Sequence, residues 1–257
     1  MNKNNELAFA AALLNKAEKI SVLTGSGISA ESGIPTFRGK EGLWKQFRAE
    51  DLATPQAFSQ NPETVWEWYD WRRSIIASKA PNAGHRVLAD WGKKFPVFTL
   101  ITQNIDGLHQ KAGSRDVIEL HGNIWKLRCV SEETVTENHD SPLKEIPPRC
   151  FKCGALLRPH VVWFGEPLDM PLLQKASSLA SESDVTLVIG TSAAVYPAAA
   201  IPFSAKEAGT KLVEINPEST PLTQYADLSL RGKAGKILPE IDHMLKHMSS
   251  PDQEPPQ

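Results

Sequence analysis

The sequence predicts an α/β protein, with a parallel sheet and helices on both of its faces. Short apolar runs typical of buried strands recur along the chain, and stretches long enough for helices separate most of them. A section at about residues 124–157 breaks this rhythm with cysteines, acidic residues and Pro147-Pro148. We interpret this section as a small inserted module that contains cysteines.

The elements follow from the spacing of apolar residues. Residues 7–19 place Leu7, Ala10 and Leu14 on one face, which predicts an amphipathic helix packed beside the first strand. That strand is predicted at residues 20–24, a short β-branched run. Further helices are predicted at residues 61–78 and 82–93, and further strands at residues 97–102, 117–120, 161–164, 185–189 and 211–215.

Composition limits the classes of function. The chain has 257 residues, 41% hydrophobic content and a net charge of -2, which fits one large domain, here residues 1–248 including the inserted module. It has no basic block, so we expect no direct nucleic-acid binding. We also expect no membrane segment and no secretory signal, because no apolar run is long enough and the N-terminus lacks a basic start.

Cysteine usage predicts the compartment. Three cysteines cannot complete a disulfide framework, and two of them form Cys150-x-x-Cys153, so we expect a cytoplasmic protein. We also expect a monomer. Residues 249–257 contain three prolines and no large apolar residue, which predicts a disordered tail.

A glycine-rich turn follows the first strand. Gly25, Gly27 and Ala30 match the G-x-G-x-x-G/A pattern, in which small residues let the backbone approach a pyrophosphate. The alternative is an ordinary glycine turn without a ligand. About 20 residues on, Asp51 lies in a polar segment and not at the end of a second strand, unlike the ribose-binding acid of dehydrogenases. The prediction is a Rossmann-like sheet that lacks the usual second strand.

Two later strand ends carry polar side chains. Gln103, Asn104 and Asp106 follow the strand at residues 97–102, where ligands of open α/β sheets bind. They could equally be turn-forming and capping residues of a polar loop. His121 ends the next strand and has the side chain of a general base, although a single histidine is more often structural.

Taken together and in order, these motifs closely resemble the sirtuin family of NAD-dependent protein deacylases. The resemblance covers roughly residues 10–245 and rests on several independent motifs, which is far more specific than one glycine pattern. The segments that carry it are residues 25–39, 102–109, 119–122, 160–166, 190–192 and 214–217, together with Cys129, Cys150 and Cys153.

The resemblance implies the co-substrate, the reaction and the residues involved. The acyl-lysine carbonyl oxygen would displace nicotinamide from NAD, with His121 as general base and Asn104 beside it, giving free lysine and O-acyl-ADP-ribose. Acyl-lysine proteins would be the partners, with their backbone paired to Val162, Trp163, Phe164 and Gly165. The residues implied to bind NAD are Gly25, Ser26, Gly27, Ala30, Thr36, Phe37, Arg38, Trp44, Gln103, Asn104, Ile105, Asp106, Gly190, Thr191, Ser192, Asn216, Pro217, Glu218 and Ala234.

Two other functions stay open at this point. A mono-ADP-ribosyltransferase would use the same activated sugar with a different nucleophile. A catalytically weak NAD-binding adaptor would not need His121 or Asn104, so their presence argues against it.

Tyr69 and Arg72 indicate which acyl groups the enzyme would remove from lysine. They are three residues apart and therefore share a helix face, whereas Arg73 points about 100° away. A guanidinium beside a phenol can bind a carboxylate, which an acetyl group does not offer. The pair is similar to the Tyr-x-x-Arg motif of the sirtuin subgroup that removes succinyl and malonyl groups. The alternative is a surface arginine on an aromatic helix, and deacetylation stays possible.

The cysteines depart from a four-cysteine zinc ribbon, because Glu132 stands where the second cysteine of the first pair belongs. Cys129, Cys150 and Cys153 could hold a structural zinc ion with Glu132, Glu133 or His139 as the fourth ligand. The alternative is a metal-free module held by packing.

Overall fold

The structure is a computed structural model, and it describes residues 2–36 and 48–248. The helices are α1 (Lys3–Lys16), α2 (Gly27–Ala30), α3 (Ala49–Leu52), α4 (Pro55–Gln60), α5 (Pro62–Ala77), α6 (Ala83–Lys94), α7 (Leu108–Lys111), α8 (Met170–Ser181), α9 (Ile201–Glu207) and α10 (Ala234–Met248). The strands are β1 (Lys19–Thr24), β2 (Val97–Thr102), β3 (Ile118–Glu119), β4 (Gly122–Cys129), β5 (Val135–Glu137), β6 (Leu157–Val161), β7 (Val185–Ile189), β8 (Lys211–Ile215) and β9 (Leu228–Leu230).

The main sheet confirms the predicted α/β fold. Its strands lie in the order β3-β2-β1-β7-β8-β9, and every pair is parallel. The chain first builds outward from β1 to β3 and later from β7 to β9 on the other side. The order therefore reverses between β1 and β7, and such a switch point leaves a crevice beyond the carboxyl ends of the strands.

Helices cover both faces of this sheet because apolar residues of the strands alternate between the faces. Val22 and Leu187 pack on the face that carries α1, α6 and α10. Leu23 and Ile101 pack on the opposite face against α8 and α9. Burial on both sides explains why these strands are nearly continuous apolar runs.

The second sheet is antiparallel, with the order β5-β4-β6, and it packs against α5. Arg73 of α5 joins the two parts: its fully buried guanidinium donates hydrogen bonds to the carbonyl oxygens of Ile124, Asn138 and Asp140, each at 2.8 Å. Burial lowers the pKa of Arg73 to about 10, which still leaves it charged at neutral pH. Arg73 is thus a structural residue of the interface between helix and small sheet.

Several predicted elements match the structure and others do not. The strands predicted at residues 97–102, 185–189 and 211–215 coincide with β2, β7 and β8. The strand predicted at residues 161–164 is wrong: β6 ends at Val161 and belongs to the small sheet, because its neighbour is β4. β9, α8, α9 and α10 were not predicted. The bounds of the inserted module remain a prediction, and the predicted tail lies outside the described residues.

In the described ranges, 2–36 and 48–248, none of the helices combines the length and the apolar character needed to span a bilayer.

Candidate active site

A cleft of about 680 Å³ opens at the switch point of the main sheet, beyond the carboxyl ends of the strands, and its size is typical of a small-molecule site. The structure brings most of the predicted site residues together around it. Those that line it are Gly25, Ser26, Gly27, Ala30, Thr36, Tyr69, Arg72, Gln103, Asn104, Ile105, His121, Val162, Trp163, Phe164, Gly165, Gly190, Thr191, Ser192, Asn216, Pro217 and Glu218.

Two predicted NAD-binding residues within the described ranges, Asp106 and Ala234, do not line the cleft. Asp106 is buried behind Ser29, and Ala234 packs in the core at the start of α10. Phe37, Arg38 and Trp44 lie outside the described residues.

The floor of the cleft is formed by two loops that touch through glycines. The amide of Gly27 donates a hydrogen bond to the carbonyl oxygen of Gly190 at 2.8 Å. A Cβ on Gly27 would lie 2.7 Å from the Cα of Gly190, and a Cβ on Gly190, whose φ is 61°, would lie 2.6 Å from the nitrogen of Ile28. Real Cβ atoms do not approach so closely, so neither position accepts a side chain. The glycines therefore let the two loops pack closely together, and they also leave the space above the loops free of side chains.

A buried polar network supports Asn104. Its Nδ2 donates hydrogen bonds to the carbonyl oxygen of Gly25 at 3.1 Å and to Ser29 Oγ at 3.3 Å. Ser29 Oγ in turn donates to Asp106 at 2.7 Å. Burial raises the pKa of Asp106, although hydrogen bonds from Leu108 and Ser29 act in the opposite direction. Asp106 thus holds Ser29 and, through it, the amide of Asn104 at the cleft.

His121 presents a single basic nitrogen. Its Nδ1 lies 2.9 Å from the carbonyl oxygen of Gln103, and a carbonyl can only accept, so Nδ1 carries the proton. Nε2 therefore holds the lone pair. Burial lowers the pKa of His121, which keeps the ring neutral at pH 7, although the hydrogen bond to Gln103 partly offsets this. This is the state that a general base requires.

His109, in α7 directly after the polar loop that follows β2, does not line the cleft. It is buried, and its Nε2 donates to Thr24 Oγ1 at 3.0 Å, because the Thr24 hydroxyl gives its own proton to Thr102. Burial lowers the pKa of His109 to about 3. His109 is a neutral structural residue.

Tyr69 and Arg72 lie together on α5 and line the cleft, yet only 2% and 5% of their surfaces are exposed. Burial raises the pKa of Tyr69 and lowers the pKa of Arg72. The Arg72 guanidinium carbon lies 4.9 Å from the centroid of the Trp68 ring, within cation–π range. Trp68 was not predicted as a site residue, although its aromatic neighbours in the sequence could have suggested it.

The segment after β6 is held by an ion pair. Arg158 contacts both carboxylate oxygens of Glu166, at 2.5 and 2.8 Å, and its guanidinium carbon lies 3.5 Å from the centroid of the Trp163 ring. Glu166 also accepts a hydrogen bond from the amide of Trp163 at 2.9 Å. These contacts fix the turn that carries Phe164, whose side chain is 46% exposed.

At the other end of the cleft, a buried carboxylate organises residues 216–221. Glu214, in β8, is 1% exposed. It accepts hydrogen bonds from the hydroxyls of Thr220, Thr223 and Ser229, at 2.5, 2.8 and 2.5 Å. Several residues of this loop line the cleft. Glu214 was not predicted to have this role, because a single acid in an apolar strand gives no sign of its partners.

The cysteines meet outside the cleft, at the end of the small sheet. Cys129 and Cys150 are buried, Cys153 is exposed, and their sulfur atoms lie within 4.8 Å of one another. The sulfur atoms of Cys129 and Cys153 are 3.5 Å apart. Thiolates at tetrahedral positions around zinc, with Zn–S near 2.3 Å, would be about 3.8 Å apart. The geometry is therefore compatible with zinc.

A family model described as the Sir2 family matches residues 25–197. The chain belongs to the Sir2 family. This match spans the glycine turn, the polar loop after β2, His121 and the cysteines, and it confirms the sirtuin resemblance.

Full-length relatives agree with this Sir2 assignment. The chain is 57% identical over 227 residues to the NAD-dependent protein deacylase of Aquifex aeolicus, covering 88% of this chain and 95% of that protein. It is 53% identical over 234 residues to NAD-dependent protein deacylase 2 of Pyrobaculum aerophilum, covering 91% and 94%.

Solved Sir2 structures share the fold. A Sir2 homologue bound to NAD superposes with a TM-score of 0.87 at 47% identity, covering 94% of each chain. A Sir2 homologue with a serine-to-alanine substitution, bound to ADP-ribose, gives 0.91 at 45% identity, covering 96% of this chain and 99% of that one. A Sir2 protein bound to a myristoylated histone peptide gives 0.78 at 37% identity, covering 95% and 98%.

Proposed function

We propose that this Sir2 protein removes succinyl and malonyl groups, and also acetyl groups, from lysine side chains of proteins, with NAD as co-substrate. The products are nicotinamide, free lysine and O-acyl-ADP-ribose. Family membership and the deacylase relatives support NAD-dependent protein deacylation in general. The observation that carries the acyl preference is the buried pair Tyr69 and Arg72 in the cleft.

The cleft suits NAD. When bound, NAD supplies a ribose carbon from which nicotinamide can leave. The touching glycine loops keep the floor free of side chains, so the backbone there is accessible to a pyrophosphate. Asn216 and Glu218 line the part of the cleft that Glu214 organises, where they are placed to bind an adenosine.

His121 acts as the general base. Its Nδ1–H bond to Gln103 fixes the ring, and its basic Nε2 can accept a proton from a ribose hydroxyl. Asn104 lies on the neighbouring strand end, where its amide is held by Gly25 and Ser29 and can orient the reacting groups.

Arg72 and Tyr69 select the acyl group. A succinyl or malonyl carboxylate beside Arg72 would form a charge-assisted hydrogen bond with the guanidinium, whereas an acetyl group offers no charge. The Tyr69 oxygen accepts a hydrogen bond from Trp163 Nε1 at 2.9 Å, so its own proton can be donated to the same carboxylate.

The substrate backbone binds along Val162, Trp163, Phe164 and Gly165, which line the cleft. Pairing an extended peptide through main-chain hydrogen bonds tolerates many sequences. The Arg158–Glu166 ion pair keeps this segment in place when no peptide is bound.

The test is incubation with NAD and matched succinyl-, malonyl- and acetyl-lysine peptides, followed by mass spectrometry. We expect wild type to release nicotinamide only when an acyl peptide is present. A mono-ADP-ribosyltransferase would release nicotinamide without the acyl group, and an adaptor would release none. Arg72→Met should reduce turnover of succinyl peptide by roughly ten- to hundredfold, as for a lost charge-assisted hydrogen bond. Turnover of acetyl peptide should change little. Equal losses on both peptides would refute the acyl preference.

A further inference from the structure

The cysteine cluster offers three sulfur ligands, while a structural zinc site normally has four protein ligands. We propose that Glu132 supplies the fourth ligand, so that Cys129, Glu132, Cys150 and Cys153 together bind one Zn²⁺ ion.

The backbone supports this assignment, because the turn after Cys129 repeats the turn after Cys150. In the first, the amide of Glu133 donates to the carbonyl oxygen of Cys129 at 3.0 Å; in the second, the amide of Gly154 donates to that of Cys150 at 2.9 Å. Glu133 and Gly154 also share a left-handed conformation, with φ of 57° and 73°. Glu132 therefore occupies, in the first turn, the position that Cys153 occupies in the second.

Glu132 also lies next to the sulfur atoms. Its backbone amide donates a hydrogen bond to Cys129 Sγ at 3.5 Å. Its carboxylate lies outside the group of three sulfur atoms, so coordination requires a different side-chain rotamer. Nothing opposes this change: the side chain is exposed, and within the two described ranges no hydrogen bond or salt bridge holds its carboxylate.

The other two candidate ligands are engaged elsewhere. The Glu133 carboxylate forms a salt bridge with Arg128 at 2.8 Å. The His139 ring stacks on Trp125 with 5.6 Å between centroids and faces Glu137 at 3.8 Å. A carboxylate oxygen is an accepted zinc ligand, with Zn–O of about 2.0–2.2 Å. Glu132 is thus the favoured fourth ligand, because of its position in the turn and because its side chain is free to change rotamer.

The experiment measures zinc binding directly, by competition of the full-length protein with a chromophoric chelator. Glu132→Ala should lower zinc affinity by at least about tenfold, because even outer-shell partners of metal ligands contribute that much. Glu132→Cys should raise the affinity and, in the cobalt-substituted protein, add intensity to the sulfur-to-cobalt charge-transfer band. Glu133→Gln, which removes the neighbouring carboxylate, is the matched control and should behave as wild type.

Three results would overturn the proposal: wild type that binds no zinc, Glu132→Ala with wild-type affinity, or Glu133→Gln with an equal loss. Because the cysteines do not line the cleft, deacylation of the acyl peptides is measured separately and does not decide the outcome.

Discussion

The indole nitrogen of Trp163 donates a hydrogen bond to the hydroxyl oxygen of Tyr69 at 2.9 Å. This contact connects the segment after β6, which we assign to the peptide, with α5, which we assign to the acyl group. It also orients the Tyr69 hydroxyl, because an oxygen that accepts from Trp163 directs its proton elsewhere.

Trp163→Phe should therefore weaken acyl selection while keeping an aromatic ring against Arg158. We expect the ratio of kcat/KM for succinyl peptide to that for acetyl peptide to fall roughly two- to tenfold, as for one net hydrogen bond. Trp91→Phe is the control, since it removes an indole hydrogen bond to Asp242 in a separate core cluster that does not line the cleft. An unchanged ratio in Trp163→Phe would mean that this contact does not orient Tyr69 for the substrate.

Arg73→Met should lower stability without changing acyl preference. The substitution leaves buried carbonyl oxygens of the small sheet and its loops without their donor, which costs roughly 1–3 kcal/mol of unfolding free energy. Urea unfolding measures the loss, and peptide turnover at a temperature where the variant is folded measures the selectivity. A change of selectivity as large as that of Arg72→Met would contradict the separate roles of these adjacent arginines.

Glu214→Gln should raise the KM for NAD and leave kcat nearly unchanged. An amide accepts fewer hydroxyl protons than a carboxylate, so residues 216–221 lose part of their support. We expect KM to rise several-fold to about tenfold, with a matching loss of ADP-ribose affinity. Glu207→Gln, at the exposed end of α9, should have no effect. A fall in kcat with unchanged KM would mean that Glu214 does not act through NAD binding.

The pH profile should report the low pKa of His121. Because burial lowers this pKa, the neutral base already predominates at the ordinary histidine value of about 6.5 and is lost only at lower pH. The acidic limb of kcat/KM should therefore have its midpoint below pH 6.5, and His121→Ala should abolish turnover across the range. A midpoint at or above 6.5 would contradict the assigned environment.

How much of the fold the sequence predicts depends on how strands are buried. β2, β7 and β8 were predicted with their observed bounds, because strands covered on both faces are mostly apolar, although β8 also contains Lys211 and Glu214. The run Val161-Val162-Trp163-Phe164 has strand-like composition but mostly follows β6. The strand itself contains Arg158 and His160, which the small sheet accommodates and which no apolar pattern reveals.

Residues of the cleft that belong to sequence motifs could be recognised from the sequence. Residues whose role depends on partners distant in the sequence could not. The residues at the strand ends, such as Asn104, His121 and Gly190, are recognisable from order and spacing. The partners of Glu214 and Arg158 were not, because a buried or partly buried charge resembles a surface charge in sequence until its partners are known. The resemblance implies that Ala234 binds NAD; its side chain packs in the core, next to Lys233, which lines the cleft.

The contact between Gly27 and Gly190 has a consequence for how this cleft can diversify. Backbone atoms of Gly27 and Gly190 are in direct contact, so no side chain can be introduced at either position. This part of the cleft floor therefore stays the same whichever ligand the cleft binds. Among the described residues, we expect new specificity to arise in the loops at residues 195–197 and 216–221 and on the face of α5, all of which line the cleft. Laboratory selection for other acyl groups or dinucleotides should accordingly recover changes at these positions and leave both glycines untouched.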